Sequence, residues 1–333
     1  MAHVKFIVAA ALIAVACTSR PSAPERMEYA RYFSIENDGK VIVYQPSGAS
    51  DTLNGPFGRF ACMSSSYVGY LEAIGADDAA VAVSGKDFLG NEKVKAQAAE
   101  IGYDAALDYE AVLASKPDLF LTYAVSAAEP PYVAKLKQLG IRTVVINEHL
   151  ESHPLGRAEY LKLFGALTGR EASADSLFQA VKSRYMQHVQ PSATHMVLIN
   201  IPYADQWFIP GGESYMTKLI EDAGGKVIGA KPGEVQSSVI SLETAYSYAQ
   251  EADFWLHPGW CATIGQLKSV NPFFSNFPVE DIQVWNNTLQ RTEGGGNRYW
   301  ETGPARPDLI IEDLTQIFSG EAPDSLNYYF RLK

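Results

Sequence analysis

Short apolar runs alternate with helix-forming stretches twice along this chain, and one long helical segment divides the two series. Before the divide, "RFACMSS", "AVAVSG", "DLFLT" and "IRTVVIN" read as strands, separated by "SYVGYLEAIGA", "NEKVKAQAAEIG", a helix at 108–116 and "PPYVAKLKQLG". After it, "HMVLINI", "KVIGA", "DFWLH" and "IQVWNN" read as strands. They alternate with "ESYMTKLIEDAGG", a helix at 241–251 and "TIGQLKSV", and the helix "RPDLIIEDLTQIF" follows a Gly-rich loop. Strands separated by helices need crossover connections, so each series predicts a mostly parallel sheet covered on both faces. From Leu155 to about Val189 the chain is almost continuously helix-forming, with a break at "TGREAS". Leu177, Val181, Tyr185 and, more loosely, Val189 recur there at helical spacing. The expected fold class is therefore α/β, with two Rossmann-like lobes joined by a long rigid helix. At 333 residues the chain has room for both. Ahead of the first lobe, "RYFSIENDGKVIVYQP" reads as two strands about an Asn-Asp-Gly turn, and "DTLNGPFG" as a loop.

The N-terminus carries a separate signal. "MAHVKFIVAAALIAVAC" places Lys5 before an apolar run from Phe6 to Ala16, too short to span a bilayer and suited to a signal-peptide core. Its ending "AVAC" resembles a lipobox, which implies cleavage before Cys17 and acylation there. Several acyl chains at one terminus give stable anchoring. The alternative is an ordinary secretory signal with a coincidental cysteine. The expected organisation is a signal segment 1–16, a tether with N-terminal strands 17–57, a first lobe 58–153, a helical segment 154–191 and a second lobe 192–333. Cys62 and Cys261 remain; burial as two free thiols is expected over a disulfide.

The formal charge of -11 argues against nucleic-acid binding, which needs a basic footprint. Ligands of open α/β sheets sit beyond the carboxyl ends of the strands. There the sequence gathers rings and polar groups: Ser65, Tyr67, Tyr123, His149, Tyr203, Trp207, Trp260, Asn297, Tyr299, Trp300 and Arg306. Flat rings suit a large flat or catecholate-bearing ligand, and Arg298 and Arg306 could meet its negative charge. Trp255 and Trp285, inside apolar strands, are expected in the core. "GGGNRYW" lacks the Gly-Lys-Ser/Thr that completes a phosphate loop. His149 and His153 in "HLESH" lie four apart, but Pro154 follows at once, so a loop is expected rather than a metal-binding helix face. Ser64–Ser66 stand at a strand end without the Gly-x-Ser-x-Gly elbow of a hydrolase, which leaves an enzyme as the weaker alternative.

One phrase is written twice. "DYEAVLASKPDLFL" and "SLETAYSYAQEADFWL" each open with a helix cap, carry a glutamate two places on (Glu110, Glu243), and run through a short helix and an aspartate into an apolar strand. An acid in a helix's first turn is favoured by the helix dipole in any protein. Together with "YLEAIGA", "LKQLGIRTVV", "IEDAGGKVI" and "ARPDLIIEDL", in this order and spacing, these phrases resemble the substrate-binding lipoproteins of ABC importers that handle iron chelates and vitamin B12. The resemblance spans roughly residues 58–320. It implies a class III periplasmic binding protein fold, a monomer anchored in the periplasm, and no enzyme activity or resident cofactor. The cargo it implies is an iron–siderophore-type chelate, with cobalamin or haem as the alternative. It also implies one exposed glutamate per lobe, here Glu110 and Glu243, docking onto a two-fold permease in the inner membrane.

Overall fold

The computed structural model describes residues 25–125, 128–203, 206–323 and 325–333; the signal segment and Cys17 lie outside them. The first lobe is a five-stranded parallel sheet in the order Ala99–Glu100, Ala80–Val83, Phe60–Cys62, Leu119–Thr122, Thr143–Val145. The second has the order Gly225–Val227, His195–Ile199, Phe254–Leu256, Gln283–Asn286, all parallel, with Phe330–Arg331 antiparallel at the edge. The strands Phe60–Cys62, Leu119–Thr122, Thr143–Val145 and Phe254–Leu256 are buried on both faces, as helix-covered parallel sheets require, and exposed residues appear in the edge strands. Trp255 and Trp285 are in the core as expected. Cys62 and Cys261 are buried and unpaired, and burial pushes the Cys62 thiol up to about 12.

The helical segment comprises Pro154–Ala158, Tyr160–Thr168 and an 18-residue rod, Glu171–His188. At 1.5 Å per residue the rod is about 27 Å long, enough to reach from one lobe to the other. Its buried stripe is Ala174, Phe178, Val181 and Tyr185: the expected Val181 and Tyr185 are in it, while Leu177 and Val189 are only partly buried at its margin. The rod packs along Tyr160–Thr168 on one side and the last long helix, Pro307–Ser319, on the other. Tyr185 donates to Asp222 of the second lobe at 2.7 Å in a buried contact, and Arg184 pairs with Asp308 at 2.8 Å.

Three elements differ from expectation. The stretch 92–101 is helical only over Glu92–Gln97; Ala98 turns extended, and Ala99–Glu100 adds a strand to the sheet edge. "DTLNGPFG" begins within a strand, Ser50–Leu53, paired to Val41–Tyr44. It completes a four-stranded antiparallel sheet with Glu25–Arg26 and Phe33–Ile35. Trp207, expected beyond a strand end, instead begins a strand of its own, Trp207–Ile209, which pairs with Ser238–Ile240 in a two-stranded ribbon.

Buried carboxylates hold the parts that the large sheets do not. Glu159, fully buried, accepts the backbone N–H groups of Glu28, Tyr29 and Ala30 at 3.1, 2.8 and 2.9 Å. Glu151 accepts those of Arg31 and Tyr32 at 2.8 and 3.1 Å, and burial raises its carboxyl to about 7. The N-terminal sheet is thereby clasped to the start of the helical segment. At the other end of the chain, Asp313 accepts the amides of Asn327, Tyr328 and Tyr329, which seats the returning edge strand. His257 Nε2 lies 2.6 Å from the Tyr329 hydroxyl, and burial drives its imidazole down to about 3.

Two outcomes follow. Glu159→Ala leaves three amides without their acceptor and should cost about 3 kcal/mol in urea unfolding, more than Glu159→Gln, which keeps one carbonyl oxygen. His257 binds its proton more weakly folded than unfolded, so its contribution is full above its ordinary value of 6.5 and is lost as the pH falls towards 3. Between pH 6.5 and 5 this amounts to about 2 kcal/mol. His257→Gln should flatten that part of the stability–pH curve; an unchanged slope would show that His257 is not its source.

Candidate functional site

Parallel strands place all their carboxyl ends at one edge, and in this chain the two edges meet. The segment Lys86–Asn91, which follows the strand Ala80–Val83, lies against the segment 290–301, which follows Gln283–Asn286. The approach is too close for side chains. A Cβ on Gly296 would sit 1.7 Å from the Phe88 carbonyl oxygen, and one on Gly69 would sit 1.8 Å from that of Glu301. Around these glycines runs an ionic seam. Arg298 grips both oxygens of Glu72 at 2.6 and 2.9 Å and Glu301 Oε1 at 2.9 Å. The buried Glu301 carboxylate in turn accepts the amides of Gly90 and Asn91 at 2.7 and 3.1 Å. Glu72, Gly90 and Asn91 belong to the first lobe; Arg298 and Glu301 belong to the second. A second contact between lobes starts from the buried ion pair Glu148–Arg157, 2.6 Å apart. Ser66 donates to Glu148 at 2.9 Å, and the Arg157 guanidinium lies 4.6 Å over the Tyr215 ring of the second lobe. Of the side chains in these two contacts, the sequence points only to Arg298 and, within Ser64–Ser66, to Ser66.

The expected site residues divide into two sets. Tyr203, Trp260 and Trp300 are 79%, 53% and 46% exposed, and Tyr123 is half-buried. Trp260 lies under the Arg291 guanidinium at 4.6 Å. Tyr123 meets the His149 ring edge-on at 6.3 Å, and His149 Nε2 is 3.1 Å from the Ala124 carbonyl oxygen. Ser65 is half-buried at the start of its helix, Ser65–Ala73. The other set is internal. Tyr67 is buried, and its hydroxyl donates to Thr122 at 3.0 Å and Ile146 at 3.3 Å, stitching first-lobe strand ends together. Trp207 is buried against Trp255 and Phe277, its indole N–H satisfied by Ile199 at 2.8 Å. Tyr299 is enclosed by His257, Tyr328 and Tyr329. Asn297 caps the short helix Arg298–Glu301. Arg306 is spent on Asp308, bidentate at 2.9 and 3.0 Å. Tyr67, Trp207, Asn297, Tyr299 and Arg306 thus have their partners within the protein, and Arg298 and Arg306 are already engaged by carboxylates, Arg306 sharing Asp308 with Arg184.

A cavity of about 680 Å³ opens at the carboxyl end of the first sheet, with Tyr109, Tyr123, Tyr132, Val125, Pro130 and Asp104 in its wall. Its lining is aromatic and weakly acidic. His149 and His153 do not act together. His149 sits on a single helical turn, whereas His153 caps Pro154–Ala158 through Nδ1, accepting from Leu155 N–H at 3.0 Å. Among the described residues no three of His, Cys, Asp and Glu are grouped to hold a metal ion, and no helix is long and apolar enough to cross a membrane.

Glu110 and Glu243 occupy matching places. Each is the second residue of its helix, Tyr109–Ser115 or Leu242–Ala249. The caps are Asp108, accepting from Ala111 N–H at 2.9 Å, and Ser241, accepting from Thr244 N–H at 3.1 Å. Both glutamates are exposed, and neither forms an ion pair among the described residues. Its own amide and the Ser241 hydroxyl hold the Glu243 carboxyl below its ordinary value.

Residues 60–276 match the model of a periplasmic binding protein family. An uncharacterized lipoprotein of Methanocaldococcus jannaschii is 26% identical over 298 residues, covering 84% of this chain and 70% of that one. Among solved structures, a periplasmic heme binding protein from Pseudomonas aeruginosa aligns with a TM-score of 0.61 at 18% identity, over 83% of this chain and 98% of that one. An ABC-type Fe3+-hydroxamate transport protein from Saccharomonospora viridis aligns at 0.58 and 19% identity with the same coverage. The likeness to the solved structures extends to the two-lobed architecture with parallel sheets. Since the family match covers the whole first lobe and runs well into the second, more than half of the chain, this chain belongs to the periplasmic binding protein family and is a substrate-binding protein rather than an enzyme.

Proposed function

We propose that the protein captures an iron–siderophore-type chelate between its lobes and delivers it to the permease dimer of an ABC importer. The observation that carries this reading is the matched pair of exposed, unpaired glutamates, one at the start of a capped helix in each lobe. A two-fold permease offers two equivalent basic surfaces, and one rigid body with an acid on each lobe can meet both. Single exposed ion pairs contribute less than about 1 kcal/mol, so the pair chiefly sets orientation and encounter rate. The exposed rings Tyr123, Tyr203, Trp260 and Trp300 offer flat apolar area to a chelate of this kind. Solved structures of similar fold are named for heme, Fe3+-hydroxamate, vitamin B12 and catecholate-siderophore binding, which supports cobalamin or haem as the second reading. The cargo is the metal complex itself, and the protein needs no resident cofactor. The lipobox-like "AVAC" and the lipoprotein relative support a periplasmic protein anchored to a membrane through acylated Cys17.

Tryptophan emission distinguishes the ligands. Trp260 and Trp300 are exposed, whereas Trp207, Trp255 and Trp285 are buried. A ferric trihydroxamate should quench the emission saturably, and Trp260→Phe should remove much of the change. Saturable binding of cobalamin or haem alone would replace the siderophore reading. For docking, Glu110→Arg with Glu243→Arg should abolish uptake while leaving chelate affinity and stability within about 0.5 kcal/mol of wild type. Normal uptake by that double variant would refute the docking role.

A further inference from the structure

The N-terminal sheet lies ahead of the family match, which begins at residue 60, and its second hairpin reaches the carboxyl edge of the first lobe. Gln45 Nε2 donates to the Val145 carbonyl at 3.0 Å, at the end of the last parallel strand. Asn147 answers from the other side: its Nδ2 donates to the Tyr44 carbonyl at 3.0 Å and to Gln45 Oε1 at 2.9 Å. The hairpin is thus pinned against the strand end through both side-chain amides. Between them and the loop after Leu119–Thr122 is a pocket of about 260 Å³. It shares Ala128 and Glu129 with the larger aromatic cavity, so the two are neighbouring compartments of one surface.

The smaller compartment has a chemical demand of its own. Asn147 lines it and is only 1% exposed, yet its Oδ1 has no hydrogen-bond partner among the described residues. A buried carbonyl oxygen without a donor costs about 1–3 kcal/mol, a penalty that a donating ligand group relieves once the Asn147 amide turns towards it, since Oδ1 has almost no accessible surface. The charges in the wall are Asp51, Glu129 and Lys137. Lys137 is spent on Glu129 at 2.7 Å, while Asp51 forms no ion pair among the described residues. One orphan acceptor and one uncompensated carboxylate select a group that both donates and carries positive charge. The volume suits an arm of a ligand and is too small for a whole chelate.

We infer that the pocket framed by Gln45, Asp51 and Asn147 is a subsite for a primary-ammonium arm, with Asn147 Oδ1 as hydrogen-bond acceptor and Asp51 as counter-ion. As the seat of one arm of the transported molecule, it rests on the proposed function. As a cation site, it stands on the pocket alone. The test is a two-dimensional NMR titration of the mature protein with n-propylammonium chloride, following the side-chain amides of Gln45 and Asn147 at constant ionic strength. Tetramethylammonium, which has the charge without an N–H donor, is the control. Saturable shifts with propylammonium and none with tetramethylammonium are expected, and Asp51→Asn should weaken the binding by about fivefold. No saturable shift, equal shifts with both cations, or unchanged affinity in Asp51→Asn would each overturn the assignment. The chelate titration by tryptophan emission runs separately. Chelate binding without the propylammonium site removes only the subsite; the reverse result leaves the subsite standing and removes the chelate reading.

Discussion

Everything about this binding cleft depends on the seam in which Arg298 is shared between Glu72 and Glu301. The rod helix joins the lobes in the chain, but a single helix fixes only one line between two bodies. The seam fixes a second. It combines a charge-assisted fork, two amides received by a buried carboxylate, and backbone contact at Gly69 and Gly296 that no larger residue permits. Burying these charges is costly, and their worth comes from the fit: each oxygen of Glu301 has its own amide, and the Arg298 fork matches both oxygens of Glu72. The rod and the seam thus tie the two lobes together at two separate places.

The same device recurs wherever the chain leaves the large sheets. Glu159, Glu151, Glu301 and Asp313 are all buried, and each collects backbone N–H groups from a segment remote in sequence. A strand added to a sheet satisfies its amides through neighbouring carbonyls. A segment that lies across a helix end has no such ladder, and an ionised carboxylate with two oxygens is a compact substitute.

The sequence carried the alternation of strands and helices because burial on both faces of a parallel sheet leaves short, wholly apolar runs, and those are visible. It carried the exposure of Glu110 and Glu243 because a capped first turn points its acid at solvent. It did not carry the direction of rings at strand ends. Tyr67, Trp207 and Tyr299 occupy the same kind of position as Tyr123, Tyr203 and Trp300, and only the packing around them separates inside from outside. Arg298 and Arg306 looked available because their partners, Glu72 and Asp308, are unremarkable in sequence. In "HLESH" the histidines drew attention, while the residue that organises the structure there is Glu151, and the neighbouring Asn147 carries no signal at all.

The clasp at Glu151 and Glu159 has a mechanical consequence. Any pull on the chain ahead of Glu28 is received first by carboxylates at the root of the helical segment, Glu159 within it and Glu151 at the end of the first lobe. The first-lobe sheet is reached only further along, where the hairpin meets Val145 and Asn147. A body held this way hangs from the start of its own connecting helices.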